Sequence, residues 1–385
     1  MRLSCLQENL NQGLNVVSHI SDKTTSLPIL NNVLLKSENK TIKLIATNLE
    51  IGINCSIRGK VEEDGDTTIL ARIFSEYIAL MPNEKIDMEM KDDSLKVSCA
   101  NFSTKLKSSP ASDFPLLPSI DKEKSYCCSV AINDFKNAIS QVLFAISPNE
   151  SRPEISGVFI SVKNGELTLA GTDSFRLAEK KIKIVSENNK KDNLSTIIPY
   201  KTLSELLRIL SVLQKDDNVE NDQNNISIYI AENQILFSCK NIDLISRLVD
   251  SKYPDYTQII PQKLKTKITL NAKTLLNAVK AASLFTKTGI YDISLSFNPA
   301  TNKIKIFSLN NQIGESESEI DVQIEGEEEK LILNYRYLLD GLQNINTEKI
   351  IMQITDSAKP CIIKPATEKG EPTDNYIYLI MPIKQ

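Results

Sequence analysis

The sequence predicts an α+β protein of three similar tandem domains, each with two helices packed on antiparallel sheets. Three observations predict it: one order of features that occurs three times, two proline-rich connectors between the occurrences, and helices that are apolar on one face only. At 385 residues the chain is too long for one ordinary core and suits two or three domains. Its apolar fraction of 41% is enough to fill them.

Each unit opens with an amphipathic helix: "CLQENLNQGLNVVSHI", "INDFKNAISQVLFAIS" and "LNAKTLLNAVKAASLF". Two strands and a polar turn follow, over 27–53, 152–182 and 289–320, with the turns near Asn48, Asp173 and Asn310. A short apolar strand then runs into a second helix: "TTILARIFSEYIALM", "STIIPYKTLSELLRIL" and "EKLILNYRYLLDGLQNI". Alternating strands such as "ISIYIAENQILFSCK" and "KIIMQITDSAKPCIIK" close the units. The connectors "SDFPLLPSIDKEKS" (112–125) and "YPDYTQIIPQKLKTK" (253–267) are rich in proline and charge. Proline cannot join a central ladder and biases its predecessor to extended backbone, so both read as linkers. The expected domains are 1–122, 123–255 and 256–385. The polar stretch "QKDDNVENDQNN" (214–225) reads as a solvated loop inside the middle one.

The helix faces carry a second signal. Leu203, Leu206, Leu207, Leu210 and Leu213 form one stripe, with Lys201 and Arg208 opposite. Leu275, Ala278, Val279 and Ala282 form another, with Lys273 and Lys280 opposite. Aligning the second helices places Arg72, Lys201 and Arg336 at one position, near the helix start. A cation there opposes the macrodipole by roughly 0.3–1 kcal/mol, so three in register suggest a task outside the helix. Phosphate is the natural partner for such a surface, while interleaved Glu76 and Glu205 leave a merely solvated face as the alternative. No zinc-finger spacing, RNP aromatic motif or basic recognition helix is present, so any contact to nucleic acid falls on the backbone and ignores sequence. The net charge of −4 gives no global attraction to nucleic acid or membrane.

Catalytic and metal signatures are missing. The single histidine, His19, excludes a Ser-His-Asp or Cys-His arrangement unless it is itself the base. HExxH, GxxxxGK[ST] and GxGxxG do not occur, and the clusters "ESESE" (315–319) and "GEEEK" (326–330) read as solvated surface. Seven scattered cysteines without a CxxC read as buried reduced thiols. The N-terminus lacks the apolar core of a signal peptide and no run approaches a membrane span, so a cytoplasmic protein is expected, with no cofactor.

The threefold repeat, "LPIL" near the start, "TDSFRLA" in the middle unit, "YPDY" at the second linker and "YLIMPIKQ" at the C-terminus resemble the bacterial DNA polymerase III β subunits, the sliding clamps. The resemblance runs essentially from Met1 to Gln385. It implies the DNA clamp fold and a homodimer closed head to tail into a six-domain ring around double-stranded DNA, a non-catalytic processivity factor. Implied partners are the DNA polymerase III catalytic subunit, the clamp loader complex, and other polymerases and repair proteins that dock short linear motifs.

Residue by residue, the resemblance implies a peptide groove of Ile155, Thr172, Phe175, Arg176, Leu177, Pro254, Ile259, Leu379, Met381, Pro382, Ile383 and Lys384. It implies DNA-facing cations Lys23, Arg72, Arg152, Lys201, Arg208, Lys273, Lys280 and Arg336, two of them on the loops Lys23-Thr24-Thr25 and Asn149-Glu150-Ser151-Arg152. It further implies a dimer contact between the first domain of one chain and the third of the other, through Leu106, Leu284 and Phe285. The chain departs from the family's commoner pattern where Ser174-Phe175 replaces Gly-His, Gln258 replaces Arg and Pro360 replaces Ser. A multidomain enzyme with its site between repeats, and a peptide scaffold without the basic inner face, are the alternatives. The first requires convergent, charge-perturbed groups in a pocket.

Overall fold

Six α-helices form among the described residues: α1 (Gln7–Val17), α2 (Ala71–Ala79), α3 (Ile132–Leu143), α4 (Tyr200–Leu213), α5 (Ala272–Ser283) and α6 (Tyr335–Gln343). The computed structural model describes residues 1–21, 27–147, 151–188, 194–213, 224–287 and 289–383. The expected solvated loop 214–225 lies almost wholly outside them. Helices α1, α3 and α5 each follow directly on a strand, Arg2–Leu6, Tyr126–Ala131 and Thr266–Asn271. No glycine or proline punctuates these junctions, so Cys5, Leu6, Leu270 and Asn271, which read as helix in sequence, belong to strands. Two of the helices are capped by asparagine: the Asn271 side chain accepts from Thr274 N at 3.0 Å, and Asn334 from Arg336 N at 2.9 Å. Such a cap contributes about 1 kcal/mol.

The chain divides into two compact units. The first comprises Met1–Asn133, Ile184–Lys191 and Lys201–Leu248, and the second Asp134–Lys183, Asp192–Tyr200 and Val249–Gln385. The middle repeat therefore contributes to both.

In the first unit a 14-stranded sheet runs from Ser186–Asn188 at one end to Gly59–Glu63 at the other. Near its middle Ile242–Arg247 pairs antiparallel with Ile51–Ile57, Leu244 opposite Ile53. Strands that cover the core bury alternate residues, as Tyr126, Cys128 and Val130 show in Tyr126–Ala131. Helix α1 lays Leu10, Leu14 and Val17 on Ile51–Ile57 and also packs on α2.

The second unit holds a 9-stranded and a 4-stranded sheet. In the larger, Arg176–Lys183 pairs antiparallel with Tyr376–Ile380, Leu177 opposite Leu379. In the smaller the order is Gly314–Asp321, Lys303–Asn310, Asp292–Asn298, Glu329–Asn334, with α5 packed against it and against α6. Gly341 of α6 sits where any Cβ would run into the Tyr378 ring, so the helix reaches the sheet only because this position has no side chain.

Among the strands that carry an open edge, two stand out. Phe102–Ser109 pairs with Ser94–Cys99 through Phe102 to Lys107, and its other side meets Gly65–Leu70 only at Ser108 and Ser109. Gly314–Asp321 is the outermost strand of the 4-stranded sheet. An unpaired edge is a template for another strand, and proteins that leave one open either guard it or use it.

None of the seven cysteines is in a disulfide, and all are buried except Cys127, which is half-buried. Burial pushes the thiols of Cys5, Cys55, Cys128 and Cys361 up to about 12, which leaves them unreactive at neutral pH. Among the described residues no cluster of His, Cys, Asp or Glu could hold a metal ion, and no helix is long and apolar enough to cross a membrane.

Candidate functional site

The turn at Asp173 is built by hydrogen bonds that recur one for one at Asn48. Thr172 Oγ1 donates to Arg176 O at 2.6 Å, as Thr47 Oγ1 donates to Ile51 O at 2.9 Å. The Asp173 carboxylate accepts from the backbone N of Phe175 and Arg176, as the Asn48 amide oxygen accepts from Glu50 and Ile51. Ser174 and Leu49 both take a left-handed φ, 80° and 74°. The turn is thus a shared scaffold, a side chain satisfying its own backbone. What differs is the chain that leaves it: Phe175-Arg176-Leu177 in one case, Glu50-Ile51-Gly52 in the other.

That difference makes a site in one place and removes it in the other. Leu177 joins a buried cluster with Ile155, Ala170, Ile197, Tyr253, Tyr256 and Leu379, against which Met381, Phe159 and Ile260 pack. At Gly52 the missing side chain is replaced by Leu117 from the first linker, whose Cδ2 lies 2.6 Å from where a glycine Cβ would stand. The first unit covers its turn from within, whereas in the second the linker residues Pro254 and Ile259 stay exposed.

Of the expected groove residues, Ile155, Leu177 and Leu379 form a floor that is at most 3% exposed, so they shape the site from below. Thr172 holds the turn. Phe175 and Ile259 are the large exposed apolar groups, at 60% and 45%. Met381, Pro382 and Ile383 are half-buried, fixed by Met381 N donating to Phe175 O and Ile383 N to Ile332 O, each at 2.8 Å. Lys384 lies outside the described residues. A hollow of about 690 Å³ opens beside the cluster, lined by Phe159, Ile197 and residues 250–257, which lead into the linker. The sequence reading omitted Tyr253 and Tyr256, although "YPDY" contains both. The Tyr256 hydroxyl donates to Glu179 Oε2 at 2.6 Å, and burial first, then the facing carboxylate, pushes its pKa up. The phenol stays protonated and its hydrogen bond satisfies a buried carboxylate.

Arg176 is the most heavily engaged of the groove residues. Its Nε donates to Asp173 Oδ2 at 2.9 Å and its Nη1 to Asp340 Oδ2 at 2.6 Å. The guanidinium lies over the rings of Phe144 and Tyr337, at 5.5 and 4.6 Å from their centroids. Burial opposes the charge, but Tyr378, Asp340 and Asp173 outweigh it and raise the pKa above the ordinary guanidinium value. Gln258, where the family's commoner residue is arginine, donates its amide to Asp255 Oδ2 at 2.9 Å. Pro360 is buried. Neither of the two polar groups at positions 176 and 258 is idle.

The basic residues divide. Arg72, Lys201, Lys273, Lys280 and Arg336 are exposed on their helices. Arg72 pairs with Glu76 at 3.0 Å, and Arg336 stacks on Tyr291 at 3.6 Å from the ring centroid. Arg208, expected among the DNA-facing cations, is engaged within the chain: its side chain is 26% exposed, and its guanidinium binds Glu205 and the carbonyls of Asn15 and Val16. It closes the C-terminal end of α1, where unsatisfied carbonyls attract a cation. Glu205 is itself buried and also meets His19 Nδ1 at 2.8 Å, which accounts for the chain's one histidine. Arg152 is exposed, bound to Glu154 and Ser174, while Lys23 lies outside the described residues. Leu106 is half-buried on the open edge strand Phe102–Ser109, Leu284 is 71% exposed at the end of α5, and Phe285 is half-buried against Gly314.

Family models now decide what these features belong to. The model described as the N-terminal domain of the DNA polymerase III beta subunit matches residues 1–118, the central-domain model 129–255 and the C-terminal-domain model 257–384. The chain belongs to the DNA polymerase III beta subunit family, the beta sliding clamps. It has the clamp fold of three tandem domains, and the family's members are non-catalytic processivity factors of DNA replication. The beta sliding clamp of Bacillus subtilis (strain 168) is 31% identical over 397 residues, covering 100% of each sequence. That of Staphylococcus epidermidis is 29% identical over 97% of each. The crystal structure of the Bacillus subtilis clamp, 29% identical, superposes with a TM-score of 0.90 over 100% of this chain and 99% of that one. A Pseudomonas aeruginosa clamp solved with griselimycin bound is 25% identical, with a TM-score of 0.90 over 100% of both chains.

Proposed function

We propose that two copies of the chain close head to tail into a ring around double-stranded DNA, with domains 1–122, 123–255 and 256–385 contributing six similar segments. The ring acts in the cytoplasm, tethers the replicative polymerase, and docks short linear motifs of polymerases, the clamp loader and repair proteins in the groove of Leu177, Met381, Pro254 and Ile259.

One observation carries the closure: two of the open edge strands are complementary. Phe102–Ser109 exposes Lys105 and Lys107 on one face and turns Leu106 to the other. Gly314–Asp321 exposes Glu315, Glu317 and Glu319 on one face and turns Ser316, Ser318 and Ile320 to the other. An antiparallel pairing that sets the lysines against the glutamates of the partner subunit brings Leu106 onto the face of Ile320. Leu284 and Phe285, close to Gly314 at the end of α5, supply the apolar margin.

Arg72, Lys201, Lys273, Lys280 and Arg336 are assigned to the DNA side. Exposed cations on separate helices give weak phosphate contacts that are indifferent to sequence, which suits sliding. Lys201→Ala and Lys273→Ala are each expected to lower the slope of log K against log salt for duplex DNA by about one. Arg208→Ala is expected to leave that slope unchanged and to destabilise the first unit instead, because it strips the end of α1 and leaves Glu205 without its main partner. Unchanged slopes for both lysine variants would withdraw the DNA face.

A further inference from the structure

The first linker crosses its sheet as a strap pinned at two ends. At one end Phe114 is buried and its N donates to Ala111 O at 3.1 Å. At the other, Lys122 Nζ lies 3.8 Å from Asp243 Oδ2 and 5.3 Å from the centroid of the Tyr229 ring. Between the pins the strap sits shallowly. Leu117 is half-buried, Leu116 is 96% exposed, and among the described residues no backbone group of 115–120 makes a hydrogen bond within the chain. Beneath it remains a hollow of about 440 Å³, floored by Leu34, Ile45, Leu236 and Ile245.

The second linker is held differently. Its Tyr253 and Tyr256 hydroxyls donate to Ala170 O at 3.4 Å and to Glu179 Oε2 at 2.6 Å, so side-chain hydrogen bonds fix it to the sheet. The first linker has only its seat. Gly52 follows the Asn48 turn where Leu177 follows the Asp173 turn, and Leu117 Cδ2 stands 2.6 Å from the place of a Gly52 Cβ. A segment that leaves its backbone groups to water, and seats one aliphatic side chain where the sheet lacks one, lies there as a bound peptide does.

We propose that the sheet face under the first linker is a second interaction surface, which the linker occupies as a built-in ligand and yields to a partner segment of the same chemistry. The strap itself shows what fits: an extended chain with an aromatic ring and, three residues on, a leucine, as Phe114 and Leu117 are placed. Pro115 and Pro118 keep such a chain extended and offer no N–H that would need a partner. The rim sets Lys36, Lys43 and Lys122 against Glu38, Asp66 and Asp243, so a neutral segment fits better than a charged one. The hollow gives a partner room to enter before the strap has left. This inference stands on the geometry of the first unit and not on docking at the groove of Leu177.

The test uses the full-length chain and a fluorescein-labelled synthetic peptide of the linker's own sequence, residues 112–122. On the unsubstituted chain the strap competes with it from the same molecule, at an effective concentration on the order of millimolar. Leu117→Ser in the chain unseats the strap and is expected to tighten peptide binding by about tenfold, and the smaller truncation Leu117→Ala by about threefold. The gain should vanish when Gly52→Leu is added to the chain, because the new side chain fills the seat. It should vanish also when the peptide itself carries Leu117→Ser, and survive Leu116→Ser in the peptide. Equal affinities for the unsubstituted chain and both Leu117 variants, or no binding to either variant, would overturn the proposal. Binding that ignores Gly52→Leu would place the peptide elsewhere and overturn it too. None of these results bears on the groove of Leu177, which every variant leaves intact.

Discussion

Lys105→Glu combined with Lys107→Glu is expected to weaken the dimer by roughly fourfold to a thousandfold. An opposite-charge pair facing across two antiparallel strands contributes about 0.2–1 kcal/mol, and a like-charge pair costs a similar amount. Two reversals therefore swing the edge by up to about 4 kcal/mol, or nearly three decades in dissociation constant. The lysines have few competing duties, since they lie exposed along an edge with no strand beside it between Phe102 and Lys107. Glu317 and Glu319 share their charge with Lys305 and Lys303 on the neighbouring strand, which reduces but does not cancel the acidic excess of "ESESE". Sedimentation velocity across a concentration series reads the effect directly. Glu315→Lys with Glu317→Lys should restore association when mixed with the lysine-reversed chain. A lysine-reversed protein that sediments as the parent does, at every concentration, would place the contact elsewhere.

Arg176→Ala is expected to cost the second unit about 3 kcal/mol of stability and to weaken peptide docking as well. Removing one member of a buried ion pair leaves the other charged and desolvated, which costs about 3–5 kcal/mol where both partners are fully buried. Asp173 is 11% exposed at its side chain but Asp340 is 43% exposed, so Asp340 recovers solvent and the lower end applies. The aliphatic stem and the two ring faces add lost packing. Arg176→Lys should fall between, because an ammonium keeps the charge but cannot fork to two carboxylates while lying flat on Tyr337. A urea titration followed by tyrosine fluorescence measures the difference. An unshifted transition for Arg176→Ala would show that the Asp173 turn stands without it.

Much of the fold was legible because repetition amplifies weak local signals. A single amphipathic helix such as "LNAKTLLNAVKAASLF" says little, and three in the same order say that a domain has been used three times. The strands that abut α1, α3 and α5 were lost for the converse reason: Cys5-Leu6 and Leu270-Asn271 run into helix with no punctuation, and an apolar residue at a junction fits both periods. The division of the middle repeat between two units was not legible either, since it depends on strands far apart in sequence pairing edge to edge.

At the site, the apolar floor followed from the resemblance, but its depth did not. Leu177 and Leu379 are wholly buried, and the exposed contact falls to Phe175, Pro254 and Ile259. The partners of Arg208 were not legible, because a helical wheel assigns a face without knowing what stands opposite. Here the open end of α1 does, almost two hundred residues earlier in the chain. The comparison of Leu177 with Gly52 could have been made from sequence alone. That Leu117 fills the resulting space could not, because the linker's path over the strand is a tertiary fact.

Topological retention on DNA tests the central claim most directly. The chain, loaded by its clamp loader onto a nicked circular plasmid, should stay with the DNA through gel filtration in buffer of moderate salt, where contacts to phosphate are screened. Linearising the plasmid with a single-site nuclease should release it, and blocking both ends with bound protein should hold it again. Release from the closed circle at the same rate as from the open line would contradict a ring.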